Sequence, residues 1–378
     1  MLNKFLLLFV NLLFLFVTYV SADGPKKIAR INRALWPYEI NSVQGFDFAS
    51  KMEMLVFAEV FAKQELLTQE DSVKKYLGFQ NIKLSSIESW KAHTKELLIN
   101  NFGKLTLSPN DFIELKAPYN WVNISKATNS LELLMPDNLK AWYKESTGFY
   151  QSYVYEQMRL AALFPKTTSE ILNLQPSEIN GNDYQDKHFL LTFDDGPTPA
   201  NGHTDKLIAT LNQHKKTGIF FVLGDMLHAR STATSVPKVH DLYSNMVVGS
   251  HGKVHKSHQK YQEWQSSILF TAKLIDSIVP ENKKTQYFRP PYGQRTDEVI
   301  SYLDKINDKV MLWNIDSQDW NANISSTEVA DRIITLMLLW RKGIILFHDI
   351  HPKVNIALPI IWKNINDAGI VYIDPKKL

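Results

Sequence analysis

Two adjacent carboxylates at the end of an apolar run are the residues in this sequence best suited to chemistry. The run Leu190–Phe193 is followed by Asp194 and Asp195, and Gly196-Pro197 then turns the chain. An apolar run that ends in this way is typical of a buried strand. Two like charges side by side repel each other, so one of them needs a cation or must change its protonation state. The pair therefore indicates an enzyme in which one carboxylate binds a metal ion and the other handles a proton.

Two histidines supply the further ligands that a metal site would need. His251 and His255 stand four residues apart, which places both imidazoles on one side of a helical turn. Together with one carboxylate of the pair they would form a three-ligand site with open positions, as in catalytic zinc sites. Because the chain has no cysteine, any metal ligands must be His, Asp or Glu. The spacing alone also fits ordinary surface or core histidines, and His258 offers a competing pair with His255.

An arginine follows a later strand-like run. Arg289 is followed by Pro290-Pro291, which would stiffen the loop and fix the direction of the guanidinium. A guanidinium held beside Asp194 would favour the charged form of that carboxylate. The alternative is a surface arginine at the end of an edge strand.

Two further groups could take part in proton transfer. His348 follows the apolar run Gly343–Phe347, and a carboxylate such as Asp319 could hold it protonated as a general acid. The pattern also allows His348 to be a core histidine. For Asp316, an ordinary turn-capping role fits the sequence as well as a role in the chemistry does.

Alternating strands and helices would bring these groups together. Residues 187–373 contain seven strand-like apolar runs separated by helix-like stretches, which predicts a parallel sheet. The runs are His188–Phe193, Gly218–Leu223, Met246–Gly249, Gln286–Phe288, Lys309–Ile315, Gly343–Phe347 and Ile370–Ile373. The reactive side chains follow the carboxyl ends of five of these runs, the edge at which β/α folds build active sites. Seven strands fit a closed barrel or an open doubly wound sheet.

The preceding half of the chain has a helical pattern. Residues 23–180 are predicted to form a mainly helical accessory domain, and residues 181–378 the catalytic domain. The predicted helices are Phe46–Lys63, Ser85–Phe102 with a capping start at its serines, and Asp137–Phe164 with a possible break at Gly148. The polar segment 177–186 is interpreted as a linker. The many aromatic residues of this half indicate helix packing, and some of them could instead line a sugar-binding groove.

The N-terminus is predicted to direct export. Lys4 precedes the apolar run Phe5–Val20, and Val20-Ser21-Ala22 fits a signal-peptidase site, so residues 1–22 are interpreted as a signal peptide. The run is shorter than the ~20 residues of a spanning helix, which favours a periplasmic or extracellular protein without a stable membrane span over an uncleaved anchor. A net charge of +3 gives no support for nucleic-acid binding. The oligomeric state is left open.

As a set, these motifs resemble the polysaccharide deacetylases, which are the NodB-homology, family 4 carbohydrate esterases. The resemblance covers about residues 187–373 and rests on five motifs in order: Thr192-Phe193-Asp194-Asp195-Gly196-Pro197, His251-x-x-x-His255, Arg289-Pro290-Pro291-Tyr292, Asp316-Ser317-x-Asp319-Trp320 and Leu346-Phe347-His348-Asp349. It implies an α/β fold, a distorted (β/α)7 barrel of NodB-homology type, after the mainly α-helical N-terminal domain. It also implies metal-dependent removal of acetyl groups from a glycan.

The resemblance further implies a role for each matching residue. Asp195, His251 and His255 would bind Zn²⁺ or another divalent ion such as Co²⁺ or Ni²⁺. Asp194 would be the general base, Arg289 would orient it, and the backbone N–H of Tyr292 would bind the oxyanion. His348 would be the general acid tuned by Asp319, and Trp320 with Leu346 would form the pocket for the acetyl methyl group. One position departs from the family, because Gly252 replaces the usual Ser or Thr that ties the loop.

The expected substrate follows from export and family together. Peptidoglycan N-acetylglucosamine is the first expectation, chitin or chitooligosaccharides the second, and O-acetylated xylan the third. A catalytically silent glycan-binding protein and a metal-dependent phosphoesterase remain as alternatives from other classes. A phosphoesterase would commonly use two metal ions, whereas these residues supply ligands for one.

Overall fold

The computed structural model describes residues 28–106, 112, 113, 115, 117–164, 174–279 and 284–378. The predicted signal peptide lies outside these residues. The first half is helical, as predicted, with α1 Val43–Glu65, α2 Glu70–Leu77, α3 Leu84–Phe102, α4 Trp121–Thr128, α5 Leu131–Leu134 and α6 Asp137–Leu163. None of the helices in the described ranges has the length and apolarity that crossing a bilayer requires.

Two details predicted for these helices are wrong. The start of α3 has Lys83 as its N-cap, without a side-chain hydrogen bond, so the serines at its start do not cap it. Glu88 instead pairs with Lys91, whose ammonium group it contacts at 3.0 Å. Gly148 does not break α6, which runs through it without interruption. Gly148 itself is exposed, and the packing of buried residues before and after it in the helix, such as Trp142 and Phe149, outweighs the weak helix propensity of one glycine.

The second half alternates strands and helices, as predicted. In order they are β1 His188–Asp194, α7 His203–Gln213, β2 Ile219–Val222, α8 Gly224–Ala233, α9 Val236–Leu242, β3 Val247–Ser250, α10 Trp264–Ile278, β4 Lys284–Phe288, α11 Asp297–Lys305, β5 Lys309–Val310, β6 Ile315–Asp316, α12 Ser326–Trp340, β7 Gly343–His348, α13 Lys353–Asn364 and β8 Val371–Tyr372. The strand order is β5-β4-β3-β2-β1-β7-β6, and β8 pairs with the start of β1.

The sheet closes into a distorted barrel at one chain segment. The predicted strand Lys309–Ile315 is divided into β5, which pairs with β4, and β6, which pairs with β7. These two strands lie at opposite ends of the strand order, and only residues 311–314 separate them in the chain. The two sheet edges must therefore approach each other. The segment cannot remain one regular strand because its two ends pair with different strands.

The two faces of the strands carry different side chains. Leu190 and Leu346 belong to the cluster inside the barrel, whereas Phe193 and Phe347 pack in the larger cluster under the surrounding helices. Because side chains alternate along a strand, Asp194 lies on the inward face with Leu190. The parallel register sets Asp194 opposite His348 at the carboxyl end of the barrel.

The helical half packs directly on the barrel. Ser50 of α1 donates a hydrogen bond to the carbonyl of Leu338 in α12, at 2.6 Å. The fully buried guanidinium of Arg341, at the end of α12, donates to the carboxylates of Asp47 and Asp186 at 2.8 and 2.7 Å. Asp186 belongs to the segment predicted as a linker, so this segment is fixed against the barrel. One hydrophobic cluster runs through both halves.

A buried carboxylate organises the helical half itself. Glu53 is fully buried and accepts hydrogen bonds from Arg33 at 2.7 Å, from Ser146 at 2.9 Å and from Tyr150 at 2.9 Å. The same Arg33 donates to Thr335 of α12 at 3.1 Å, which links the network to the barrel. The aromatic side chains of this half that are buried include Trp36, Trp90, Trp142, Tyr143, Tyr150 and Tyr153, so these rings pack the core.

Candidate active site

The two carboxylates point in different directions because of the backbone that joins them. Asp194 ends β1 and is 3% exposed, with its side chain inside the barrel. Asp195 has a left-handed backbone, with φ of 81°, and its amide donates to the carbonyl of Phe221 at 3.2 Å. Aspartate tolerates this conformation better than most residues. The turn separates the two charges, so that each carboxylate has its own set of neighbours.

Arg289 is the centre of the hydrogen-bond network below Asp194. Its guanidinium is fully buried and donates to the Asp194 carboxylate at 2.9 Å and to the Thr192 hydroxyl at 2.8 Å. It also donates to the carbonyls of Met311 and Leu312, at 3.0 and 2.9 Å. The segment that closes the barrel thus holds Arg289 in place, and a fixed positive charge lies against Asp194.

Asp195, His251 and His255 form the one group within the described residues that could hold a metal ion, with ligand atoms within 4.8 Å of one another. The carboxylate oxygen Oδ1 of Asp195 lies 3.3 Å from His251 Nε2 and 3.4 Å from His255 Nε2. His258 is not part of this group: its Nδ1 bonds to the carbonyl of Lys256 at 3.0 Å.

The chemistry of these three side chains fits a cation. His251 Nδ1 lies 2.7 Å from the carbonyl of Arg289 and donates to it, so the other ring nitrogen, Nε2, is the one that faces Asp195. Oδ1 of Asp195 is buried and has no hydrogen-bond partner among the described residues. Two acceptors that face each other at 3.3 Å require a cation or a proton between them.

The protonation states agree with a ligand role. Burial, together with the neighbouring His251, lowers the pKa of His255 to about 4, so its imidazole is neutral at neutral pH. Burial alone would raise the pKa of Asp195, but the nearby histidines, His251 first, lower it overall. A neutral imidazole and an ionised carboxylate are the forms that bind metals.

The loop between His251 and His255 is held by hydrogen bonds that need no side-chain hydroxyl at position 252. The hydroxyl of Ser267, in α10, accepts from the amide of Lys253 at 2.8 Å, and the Gly252 carbonyl accepts from the amide of Gly224 at 2.9 Å. Gly252 has φ of 79°, and a Cβ there would lie 2.7 Å from the ring of His258. His258 and Ser267 therefore occupy and bind this part of the loop.

His348 lies across the rim from the histidine loop and pairs with Asp319. His348 Nδ1 donates to the Asp319 carboxylate at 2.7 Å, and the backbone amide of His348 donates to it at 2.9 Å. Burial would lower the pKa of His348, but Asp319 raises it to about 10. The imidazole is therefore protonated at neutral pH. Asp316 accepts from the amide of Gln318 at 2.8 Å, which is the turn-cap alternative.

The remaining predicted residues also lie at this end of the barrel. Leu346 is buried inside the barrel, and Trp320 follows Asp319 with 39% of its surface exposed. Tyr292 has φ of 60° and its ring meets that of His255 edge to face, with centroids 4.3 Å apart. The fold thus brings all ten predicted site residues to one end of the barrel.

Two residues of the site lie within the sequence motifs, but no role was predicted for them. Thr192 links Arg289 to the carbonyl of Ile345, to which its hydroxyl donates at 2.7 Å, and its alternation with Asp194 could have indicated this. Asp349 is buried, accepts from the Thr204 hydroxyl at 2.8 Å, and burial raises its pKa to about 7. Any side chain at position 196 would overlap the Asp349 carboxylate, which explains the glycine there.

The fold is a β/α barrel, and the carboxyl end of its strands carries a candidate metal site beside a carboxylate and a charged imidazole. This arrangement is that of a hydrolase. Residues 181–310 match the polysaccharide deacetylase family, and the chain belongs to it. Asp319 and His348 lie beyond the matched range, so their positions in the site come from the geometry alone.

Three relatives illustrate the similarity. Peptidoglycan-N-acetylglucosamine deacetylase of Bacillus cereus is 29% identical over 225 residues, 57% of this chain and 77% of that protein. The chitooligosaccharide deacetylase of a Bradyrhizobium species is 30% identical over 171 residues, 43% of this chain and 70% of that one. Peptidoglycan-N-acetylmuramic acid deacetylase PdaC of Bacillus subtilis is 29% identical over 215 residues, 56% of this chain and 43% of that protein.

Among solved structures, the family 4 carbohydrate esterase from Streptomyces lividans in complex with acetate is 28% identical. That comparison covers 49% of this chain and 91% of the other, with a TM-score of 0.42.

Proposed function

We propose that the protein removes N-acetyl groups from peptidoglycan N-acetylglucosamine in a metal-dependent reaction. The observation that carries the proposal is the pairing of two opposite proton-transfer groups at one site. Asp194 Oδ2 lies 3.9 Å from His251 Nε2 of the candidate metal group, and His348, protonated through Asp319, lies across the rim. A binding protein would need neither group.

Asp195, His251 and His255 would hold the ion, which we propose to be Zn²⁺, with Co²⁺ or Ni²⁺ as alternatives, because two imidazoles and one carboxylate are a donor set of catalytic zinc sites. A bound ion supplies polarisation of the acetyl carbonyl and a lower pKa for water. Asp194, oriented by Arg289, accepts the proton of the attacking water. The backbone N–H of Tyr292 stabilises the negative charge on the carbonyl oxygen.

His348 donates a proton to the nitrogen as the bond to the acetyl carbon breaks, because an amine is a poor leaving group without one. Asp319 keeps this proton available by raising the pKa of His348. Trp320 and Leu346 would enclose the acetyl methyl group, since together they present apolar surface at the same rim.

Chitooligosaccharides are the second candidate substrate. They are favoured by the relative with the highest identity among those named above, the chitooligosaccharide deacetylase of the Bradyrhizobium species. The predicted N-terminal signal peptide supports action outside the cytoplasm, which fractionation of cells expressing the full chain would test. The helical half is proposed to be an accessory region of the same chain.

Acetate release tests the proposal directly. Purified protein is incubated with peptidoglycan fragments, chitooligosaccharides or acetylated xylan, with and without a chelator, and its metal content is measured by mass spectrometry. We expect release from peptidoglycan, loss of that release with chelator, and one ion per chain. No release from any glycan by the metal-loaded protein would refute the proposed activity, and two ions per chain would favour a phosphoesterase.

A further inference from the structure

A fourth imidazole, beside His348 at the carboxyl end of the barrel, has no role in the chemistry described above. His351 is half-buried, and its ring meets the ring of His348 at 68°, with centroids 6.0 Å apart. Within the described residues, the His351 ring makes no hydrogen bond, whereas its backbone amide donates to the carbonyl of His348 at 3.3 Å. The turn fixes the backbone while both ring nitrogens remain available.

The loop that carries His351 is joined to a neighbouring loop by a hydrogen bond. Lys353 follows it at the start of α13, and the ammonium group of Lys353 donates to the carbonyl of Asn321. Asn321 follows Trp320, so this bond joins the loop after β7 to the loop after β6. The loops that carry His351 and the partly exposed Trp320 are thus joined by a hydrogen bond at the carboxyl end of the barrel. A polar group on a loop that is held by its neighbours can bind a ligand at a smaller entropic cost than one on a free loop.

The protonation states of the two neighbouring histidines differ. Asp319 keeps His348 charged, whereas burial lowers the pKa of His351, whose imidazole is therefore neutral at neutral pH. A neutral imidazole has one N–H donor and one acceptor nitrogen, and it can both donate to and accept from a hydroxyl group. Sugar hydroxyls are the matching chemistry, since each is itself a donor and an acceptor.

The position of His348 decides which part of the substrate meets His351. If His348 protonates the leaving nitrogen, its side of the site faces the sugar rather than the acetyl group. We propose that His351 binds a hydroxyl group of the glycan on the leaving-group side and so determines the affinity for the sugar chain. This inference rests on the deacetylase function proposed above.

Two substrates separate sugar binding from chemistry. An acetylated chitooligosaccharide contains the sugar, whereas p-nitrophenyl acetate offers an acetyl group to the same attacking water without the sugar, and its leaving group needs no proton. For His351→Ala we expect KM for the chitooligosaccharide to rise about 3- to 10-fold, the worth of one hydrogen bond, with kcat nearly unchanged. Hydrolysis of p-nitrophenyl acetate should match the wild type, and so should the alkaline limb of the kcat pH profile for the chitooligosaccharide. His351→Asn should retain part of the affinity.

His240→Ala is the matched control. His240 is exposed on α9, which precedes the amino end of β3, at the opposite end of the barrel. Replacing it should change neither KM for the chitooligosaccharide nor the hydrolysis of p-nitrophenyl acetate. An unchanged KM in His351→Ala would overturn the proposal. A loss confined to kcat for the chitooligosaccharide would also overturn it, because it would show that His351 acts through His348. An equal loss on both substrates would do the same, because it would show damage to the site that does not depend on the sugar.

Binding distinguishes this inference from the proposed function. If the wild-type protein releases no acetate, the deacetylase proposal fails, and calorimetry with the chitooligosaccharide still tests His351. Weaker binding of the sugar by His351→Ala than by the wild type would then support the contact. Equal binding, or no binding by the wild type, would refute it.

Discussion

The ion pair between Arg289 and Asp194 gives a prediction whose size follows from the structure. Both side chains are buried, with 0% and 3% exposure, and their closest atoms are 2.9 Å apart. Arg289→Met leaves the carboxylate unpaired and removes the donors to Thr192, Met311 and Leu312. Loss of one partner of a buried pair costs about 3–5 kcal/mol in the free energy of unfolding.

Asp194→Asn should also destabilise the protein, because it leaves the guanidinium charge buried without its counter-ion. In the double variant no unpaired charge remains. We therefore expect the double variant to be more stable than the sum of the two single effects implies, by about 2–3 kcal/mol of coupling. Thr192→Val provides a control, since it removes the hydroxyl that accepts from Arg289 and donates to Ile345 but leaves the ion pair intact, and it should cost about 1–3 kcal/mol without coupling of the same size to Asp194→Asn.

The assay is urea unfolding of the four members of the cycle in the presence of a chelator. Chelation removes any stabilisation that metal binding gives to the folded state. If the two single effects add to within about 0.5 kcal/mol, Arg289 and Asp194 are not energetically coupled, and the role assigned to Arg289 is refuted.

Three further predictions address the loop, the proton donor and the helical half. Gly252→Ser, which restores the usual family residue type, should cost about 1–3 kcal/mol because it strains a left-handed backbone and meets His258; a thermal unfolding midpoint at or above that of the wild type would contradict this. Asp319→Asn should move the alkaline limb of the kcat pH profile downward by more than one unit. The reason is that Asp319 raises the pKa of His348 to about 10, whereas burial alone lowers it; an unmoved limb would show that another group is the acid. Glu53→Gln should cost about 3–5 kcal/mol and lower the stability of both halves together in circular dichroism, and two separate unfolding transitions would show that the halves unfold independently.

Local patterns predicted the order of the elements because hydrophobic periodicity is a local property. The strands ended where apolar runs gave way to polar residues, as at Asp194 and His348. The division of Lys309–Ile315 could not be predicted, because it depends on which neighbours each end meets when the barrel closes. The same holds for Gly148, whose weak helix propensity is outweighed by the packing around α6.

The site was predictable as a set of residues but not as a set of contacts. The positions of these residues after strand ends correctly predicted that their side chains lie at the carboxyl end of the barrel. The choice between His251 and His258 as the partner of His255 depends on the loop conformation at Gly252, which the spacing does not contain. No role was predicted for Asp349 because its hydrogen bond with Thr204 joins residues that are distant in sequence.

The packing of the helical half against the barrel also could not be predicted from the sequence. Its helices were predicted, but not the buried contacts that Ser50 and Asp47 make with α12 and Arg341. Such contacts join residues almost three hundred positions apart, and periodicity says only that a helix has an apolar face. The boundary near residue 180 therefore stays a prediction.

The most direct test of the central claim is a comparison of the wild-type protein with Asp194→Asn, each loaded with metal. Metal content by mass spectrometry and acetate release from peptidoglycan fragments are measured on the same samples. We predict that the variant keeps one ion per chain, because Asp195, His251 and His255 are intact, and loses acetate release. Acetate release by the variant at the wild-type rate would contradict the assignment of Asp194 as the base. Loss of the ion would contradict the separation of the two carboxylates into different roles.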